Sequence, residues 1–458
     1  MKAHTAAAVQ RSIEPNAGSD DSGSNENCVD LSNMPKPNPS EADVAIVGGG
    51  VAGSALALEL ARGGLSVCLL EKTSRHEDNV RGEFLLPWGV AVARDLGILA
   101  TLENAGANYT RWAVPYGEGL KPATARRLRK DISAVLPGVS GALNIEHRIL
   151  CQVLNDAAEA AGAILQRNVA NIEFTEGQQP TLRYSRDGAT VELEPRIVVG
   201  ADGRNSTIAR QAGVRQIRND PSVYLTGMLV DHMASWPEDE QTIAADDGLT
   251  LYVFPQGRGK ARLYVAHPRH AFMTQSPEQK ASFFLQLFDR PCMPDAIRTA
   301  RPAGPCISYT NATSFSDRVS GRGFVLIGDA AGYTDPCGGQ GLGCAFDDVL
   351  QVTLALRSSS EWDADAFRAY DQHRAERTRR ILFLTTLLAQ IREPSGARGA
   401  AYRAELAARM VKDPSLSLPL LALQKGVFAV GAEMFSPETR ARFDLPPPTG
   451  LAMPGGAL

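Results

Sequence analysis

Apolar residues in this chain fall into short β-branched runs that stop at glycine, interleaved with longer helical patterns, an arrangement that predicts an α/β fold (α+β overall). The first run, Val44-Ala-Ile-Val47, stops at Gly48-x-Gly50-x-x-Gly53 and gives way to an Ala/Leu-rich helical stretch. A second apolar strand, Val67 to Leu70, ends on Glu71. Two more buried-strand patterns follow: Ile197 to Val199 runs into Gly200-Ala-Asp202-Gly203, and the stretch from Gly323 runs into Gly328-Asp329. Between them the period switches to two. Leu249-Thr-Leu-Tyr-Val-Phe-Pro255 and Lys260-Ala-Arg-Leu-Tyr-Val265, joined by Gln-Gly-Arg-Gly, read as a β-hairpin. That period places Tyr252 with Phe254 on one face, and Arg262 with Tyr264 on one face of the returning strand. The apolar stretch Ile381 to Ile391 is too short to span a bilayer, and Leu416 to Val430 is interrupted by Pro419 and Gln424-Lys425. Both read as helices packed on the domain, with membrane contact at most peripheral. Residues 1–40, rich in Ser, Asp, Asn and Pro, predict a disordered segment, and Pro446 to Leu458 a tail.

The glycine spacing has a physical reading. Gly48 permits a tight turn, Gly50 lets a pyrophosphate approach the backbone, and Gly53 lets the helix pack close to the sheet. The helix N-terminus offers unpaired N–H groups and partial positive charge to phosphates. Glu71 is placed to accept hydrogen bonds from an adenosine ribose. Strand, helix, strand and terminal acid in register predict a bound dinucleotide. Asp202, or Ser206 after it, at a strand-to-helix junction reads equally as an ordinary helix cap.

Charge and cysteine content narrow the class. A net charge of −4 gives no nucleic-acid surface. The seven cysteines form no Cys-x-x-Cys pair, which predicts reduced thiols in a cytoplasmic protein. His267-Pro-Arg-His270 reads as a surface loop, and no metal is expected.

Three motifs in order, the N-terminal GxGxxG, Asp202-Gly203, and Gly328-Asp329 followed by Asp335-Pro336-Cys-Gly-Gly-Gln-Gly341-Leu-Gly343, resemble the FAD-dependent monooxygenases of the aromatic-hydroxylase (para-hydroxybenzoate-hydroxylase-like) class. The resemblance implies a discontinuous Rossmann-like FAD-binding domain (42–215 and 318–392), an inserted mixed β-sheet substrate domain (216–317) and a C-terminal helical region (393–445). It assigns the pyrophosphate to Gly48, Gly50 and Gly53, the adenosine ribose to Glu71 with Lys72 beside it, and the FAD phosphates to Arg81. Arg148 would open a helix beside the cofactor, Asp202 and Gly203 would serve FAD and NAD(P)H, and Asp329 would bind the ribityl chain. Pro336 and the backbone of Gly338, Gly341 and Leu342 would line the flavin ring, where N–H groups at a helix start stabilise negative charge on the reduced ring.

Two positions depart from the pattern. Gly332 stands where many aromatic hydroxylases carry histidine, and Gly343 where asparagine is common. Arg81-Gly-Glu-Phe-Leu-Leu-Pro-Trp-Gly89 is similar to a Gly-Glu-x-x-x-Pro stretch of squalene epoxidases, some flavin halogenases and isoprenoid reductases. There Glu83 reads as a capping or supporting carboxylate, and Trp88 as core packing or flavin contact. The implied reaction is oxygen transfer from a flavin C4a-hydroperoxide, using O2 and NAD(P)H, that hydroxylates or epoxidises an aromatic, indole-like or alkene-containing (isoprenoid-like) small molecule in secondary metabolism. Tyr252, Phe254, Arg262 and Tyr264 are the substrate-wall residues, with Tyr224 and His232 weaker candidates; ordinary core packing is the competing reading for each. The chain has no second nucleotide motif, so NAD(P)H either docks transiently on the FAD domain or a separate flavin reductase supplies electrons; the intact Asp202-Gly203 favours the first. The alternatives are an isoprenoid-type reductase and a halogenase, although the Trp-x-Trp-x-Ile-Pro motif of the latter is missing from the chain.

Overall fold

The computed structural model describes residues 41–446 apart from residue 118 and residues 269–275, so the segment 1–40, the tail beyond residue 446 and His270 lie outside the described residues. Its centre is a six-stranded sheet running Ile164–Gln166, Val67–Leu70, Val44–Val47, Ile197–Gly200, Phe324–Leu326 and Ser320–Gly321. All neighbours pair in parallel except the last, which is antiparallel. Parallel strands covered on both faces need apolar side chains at every position, which is why Val44–Val47, Val67–Leu70, Ile197–Gly200 and Phe324–Leu326 lack alternation and are fully buried. Because the strands are parallel, the turns after Val47, Gly200 and Leu326 all emerge at one edge, where ligands bind open α/β sheets.

The second sheet has eight strands. Its core is Tyr224–Asp231, Lys260–His267, Leu249–Gly257 and Glu240–Asp246, all antiparallel. Trp112–Val114 and Lys130–Asp131 join it from the earlier segment, the first pairing in parallel with Glu240–Thr242, so the sheet draws on chain outside 216–317. The hairpin forms as the alternation predicts. Arg258 and Gly259 at its tip take φ of 56° and 68°, the left-handed pair that matches strand twist. The register sets Tyr252 opposite Tyr264 and Phe254 opposite Arg262. One sheet face packs on the helix Pro277–Gln286 through Leu251, Leu263 and Phe284; Tyr252, Phe254 and Tyr264 pack on the opposite side.

Ile381–Ile391 forms the second half of a 25-residue helix, Arg368–Arg392. The second apolar stretch is split as its composition suggests, but Pro419 stands in the first turn of the helix Leu418–Lys425, where its missing N–H costs nothing. Among the described residues no helix is long and apolar enough to cross a membrane. The polar half of Arg368–Arg392 buries Arg374 and Arg377 against Asp347 and Asp348 of the helix Gly341–Ser358. Asp348 also accepts the Gly328 N–H at 2.8 Å, and Arg374 donates to the carbonyls of Gly328 and Gly332 at 3.1 and 3.0 Å. Burial opposes the charge on Asp347, but His373 and Arg377 outweigh it and hold that carboxyl down at about 2.

Removing one member of this cluster strands the others without partners in the interior. Asp348→Ala should lower the urea unfolding free energy by about 3–5 kcal/mol, whereas Arg62→Ala, which breaks a surface pair with Glu59, should cost under about 1 kcal/mol. Equal midpoints for Asp348→Ala and wild type would contradict the role given to the cluster.

Candidate active site

A cavity of about 310 Å³ lies where the three strand-end turns face the second sheet. Gly50, Val51 and Ala52 border one part of it, and Gly341, Leu342 and Ala345 another. Each trio opens a helix (Val51–Arg62 and Gly341–Ser358) whose first turn has no side-chain cap and no acidic residue. Two sets of unpaired backbone N–H groups therefore meet one cavity, a geometry suited to an anionic ligand. The glycines differ in why they are needed. Gly48, at φ 111°, sits against the Ala201 carbonyl, and Gly53 against the carbonyl of Gly48, so neither leaves room for a side chain. Gly50 and Gly341 face open space instead. Asp329 lines the cavity, and its carboxylate makes no hydrogen bond to a described residue. Burial raises its pKa, while Arg204 and Arg81 draw it down. Two open helix starts, side-chain-free approaches and an unengaged carboxylate between them fit a dinucleotide with a polyol chain, as FAD has.

The assigned residues divide into those the fold brings to the cavity and those it does not. Gly50, Arg81, Gly203, Asp329, Pro336, Gly341 and Leu342 line it. Gly338 stands behind the loop, facing Thr385 and Leu388. Glu71 is engaged within the protein, accepting from the Gly49 N–H at 2.9 Å and from Thr73, and neither it nor exposed Lys72 lines the cavity. Asp202 takes the capping role, accepting from Ser206 Oγ at 2.5 Å and the Thr207 N–H at 2.6 Å. Arg148 points away to Glu146.

The loop Asp335–Gln340 is held from several sides. Asp335 accepts from the Cys337 N–H and from Asn311 Nδ2. Gly339 turns the chain at φ 67°. Fully buried Gln340 donates to Gly338 and Leu423 carbonyls and accepts from the Trp88 indole N–H at 3.0 Å. Trp88 is thus a packing residue. Its ring lies over Gly343, where a Cβ would come within 2.5 Å of it, which explains the glycine in place of asparagine.

Aromatic rings form the opposite wall. Tyr252, Phe254 and Tyr264 line the cavity, and Phe84 stacks on Phe254 at 4.3 Å with 9° between planes. Tyr309, Leu225 and Ile243 complete it; the Ile307-x-Tyr309 alternation on the strand Ile307–Thr310 was the available signal for Tyr309. Arg262 is not on this wall. It is fully buried, ion-paired with Glu83 and with Asp78 at 2.9 Å, because its side chain reaches to the 78–83 loop. Glu83 also accepts the His147 N–H at 3.1 Å, which caps the helix His147–Ala160. Burial pushes Glu83 up to about 7 against the pull of Arg262. Burial also holds His147 down at about 4 and raises the Tyr252 and Tyr264 phenols well above their usual value. Tyr224 stacks on His267 and His232 binds Asp231 at the surface, so neither reaches the cavity.

Comparison with known proteins agrees with this geometry. The model of the family described as FAD binding domain matches residues 41–385. The chain is 26% identical over 404 residues to 6-methylpretetramide 4-monooxygenase of Streptomyces rimosus, covering 83% of this chain and 91% of that one. It is 26% identical over 379 residues to squalene monooxygenase of Rattus norvegicus, covering 77% and 61%. The crystal structure of p-nitrophenol 4-monooxygenase PnpA from Pseudomonas putida DLL-E4 aligns with a TM-score of 0.68 at 18% identity, over 84% of this chain and 98% of that one. The flavin-dependent brominase Bmp2 aligns equally well, at 0.68 and 18%, over 88% and 97%. At such identities the structural likenesses show a shared fold.

Gly50 offers a clean test of the cradle. Because a Cβ there meets no protein atom, Gly50→Val should fold with an unchanged melting midpoint yet elute colourless from gel filtration with FAD. Retained yellow colour would remove Gly50 from the cofactor site.

Proposed function

This chain belongs to the FAD-binding-domain family and is an FAD-dependent monooxygenase, and we propose that it uses NAD(P)H and O2 to hydroxylate or epoxidise a neutral, flat aromatic molecule. Bound FAD supplies the electrons and the oxygen activation. The protein's part is to bind, orient and exclude water. The helix starts at Gly50 and Gly341 would hold the pyrophosphate and the electron-rich edge of the ring, with Asp329 on the ribityl chain and Arg81 on the phosphates.

The observation that carries the reading is the ring wall opposite Pro336 and Gly341. Tyr252, Phe254, Tyr264, Phe84 and Tyr309 offer π-faces, and the acid nearest them, Glu83, is committed to Arg262. An uncharged aromatic ring suits this surface better than a carboxylate-bearing one, which would need a free cation. Among the described residues beside the ring wall none is a free base: Glu83 is paired with Arg262, His147 is held neutral by burial, and Gly332 carries no side chain. A substrate that is already electron-rich fits that lack. The relative named as a 6-methylpretetramide monooxygenase supports a polycyclic aromatic substrate.

Turnover with NAD(P)H under 18O2 across a panel of indoles, naphthols and larger polycyclic phenols should place one labelled atom in a product. Unlabelled product formed equally well without O2 would mark a reductase instead. Phe254→Ala should raise KM roughly tenfold or more, from about 1.5–3 kcal/mol of lost ring burial, with FAD content unchanged; an unaltered KM would take the ring out of the substrate wall.

A further inference from the structure

A second cavity, of about 270 Å³, shares no lining residue with the first. Its walls are the Phe315–Val319 segment, Ala331 and the Asp371–Thr378 stretch of the helix Arg368–Arg392, and its rim includes exposed Arg318 and Gln372. Between the two lies a narrow void of about 20 Å³, room for one water molecule and too small for any ring. It shares Phe315, Arg374 and Thr378 with the outer cavity, and Gly328, Asp329, Thr334 and Gly341 with the cofactor cavity. Ser314 and Arg377 also border the neck, beside the apolar Cys344 and Ile381.

Two atoms on the outer cavity point to what fills it. Ser316 Oγ and Asp371 Oδ1 are buried and make no hydrogen bond. Ser316 is 7% exposed, and the other Asp371 oxygen accepts from Ser320 Oγ at 2.9 Å. Buried polar atoms without a protein partner are the places where ordered water binds. Gly332 borders the neck, and a Cβ there would press within 2.8 Å of the Ser314 carbonyl, so no histidine side chain fits at this position.

We propose that these voids form a rear passage for water and protons, running from solvent at Gln372 past Ser316, Asp371 and Thr378 to Asp329 and Gly341 beside the flavin. The proposal rests on the monooxygenase reading, whose balance is substrate, O2, NAD(P)H and one proton giving hydroxylated substrate, NAD(P)+ and one water. Each turnover therefore takes in a proton and releases a water. Water held in the neck between the Ser314, Thr334 and Thr378 hydroxyls would pass the proton along. Asp371 is faced by Ser320 and Arg374, and Asp329 by Arg204, Arg81, Arg374 and Asp348; burial raises both carboxyls above their ordinary value against the pull of these arginines.

The test uses the FAD-loaded full chain. Anaerobically reduced protein is mixed in a stopped-flow with ferricyanide and phenol red in weak buffer. Oxidation of FADH− by two ferricyanide ions yields FAD, two ferrocyanide ions and one proton, so flavin absorbance times the electrons and the dye times the proton. The front is closed by Ile243→Trp, which fills the aromatic end, and the rear by Thr378→Phe or, separately, Ala375→Trp. With both ends closed, proton release should lag electron transfer by about tenfold or more. Simultaneous release in the doubly closed proteins would overturn the passage. A high-resolution crystal structure of the wild-type holoprotein serves if the doubly closed variants lose FAD: water bonded to Ser316 Oγ and in the neck supports the proposal, and a dry neck overturns it. Wild-type protein that binds no FAD at all would instead defeat the monooxygenase reading itself.

Discussion

The buried cluster of Asp347, Asp348, Arg374 and Arg377 is the constraint on which the site depends. Asp348 bonds the Gly328 N–H, and Arg374 holds the carbonyls of Gly328 and Gly332. The turn that presents Asp329 is thereby tied to the helix whose first turn presents Gly341 and Leu342. Interior ion pairs return little net stability once desolvation is counted. Their value here is positional: two cofactor-facing turns from distant parts of the chain are fixed relative to one another.

A second buried pair does the same on the substrate side. Arg262 lies on the hairpin that carries the ring wall, and its partners Asp78 and Glu83 flank Arg81 at the cofactor cavity. Val80 between them is held at φ 52°, a costly conformation for a β-branched residue, with its N–H on Asp78. Glu83 in turn caps the helix His147–Ala160. One carboxylate thus joins the hairpin, the Arg81 loop and that helix, so the wall keeps its distance from the flavin loop.

The strand-ending glycines were legible because the physics is local: a tight turn, a close approach and an open helix start each demand glycine at a set spacing. The hairpin and the shared face of Tyr252 and Phe254 were legible for the same reason. What could not be read from the chain was pairing at long range. Asp347 and Asp348 look like solvent-facing acids until Arg374 and Arg377, in a helix whose polar half suggests exposure, close over them. Arg262 resembles a substrate-binding cation by its place on the strand, and only the fold shows it spent on Glu83. Trp88 and Gly343 are explained by each other, across a separation no local pattern reveals.

The most direct test of the central claim is a crystal structure of the protein with bound FAD. The account places the pyrophosphate at Gly50, the ribityl chain on Asp329, and the flavin ring between the Pro336–Gly341 loop and the wall of Tyr252, Phe254 and Tyr264. A ring bound elsewhere, leaving that gap to another group, would contradict it.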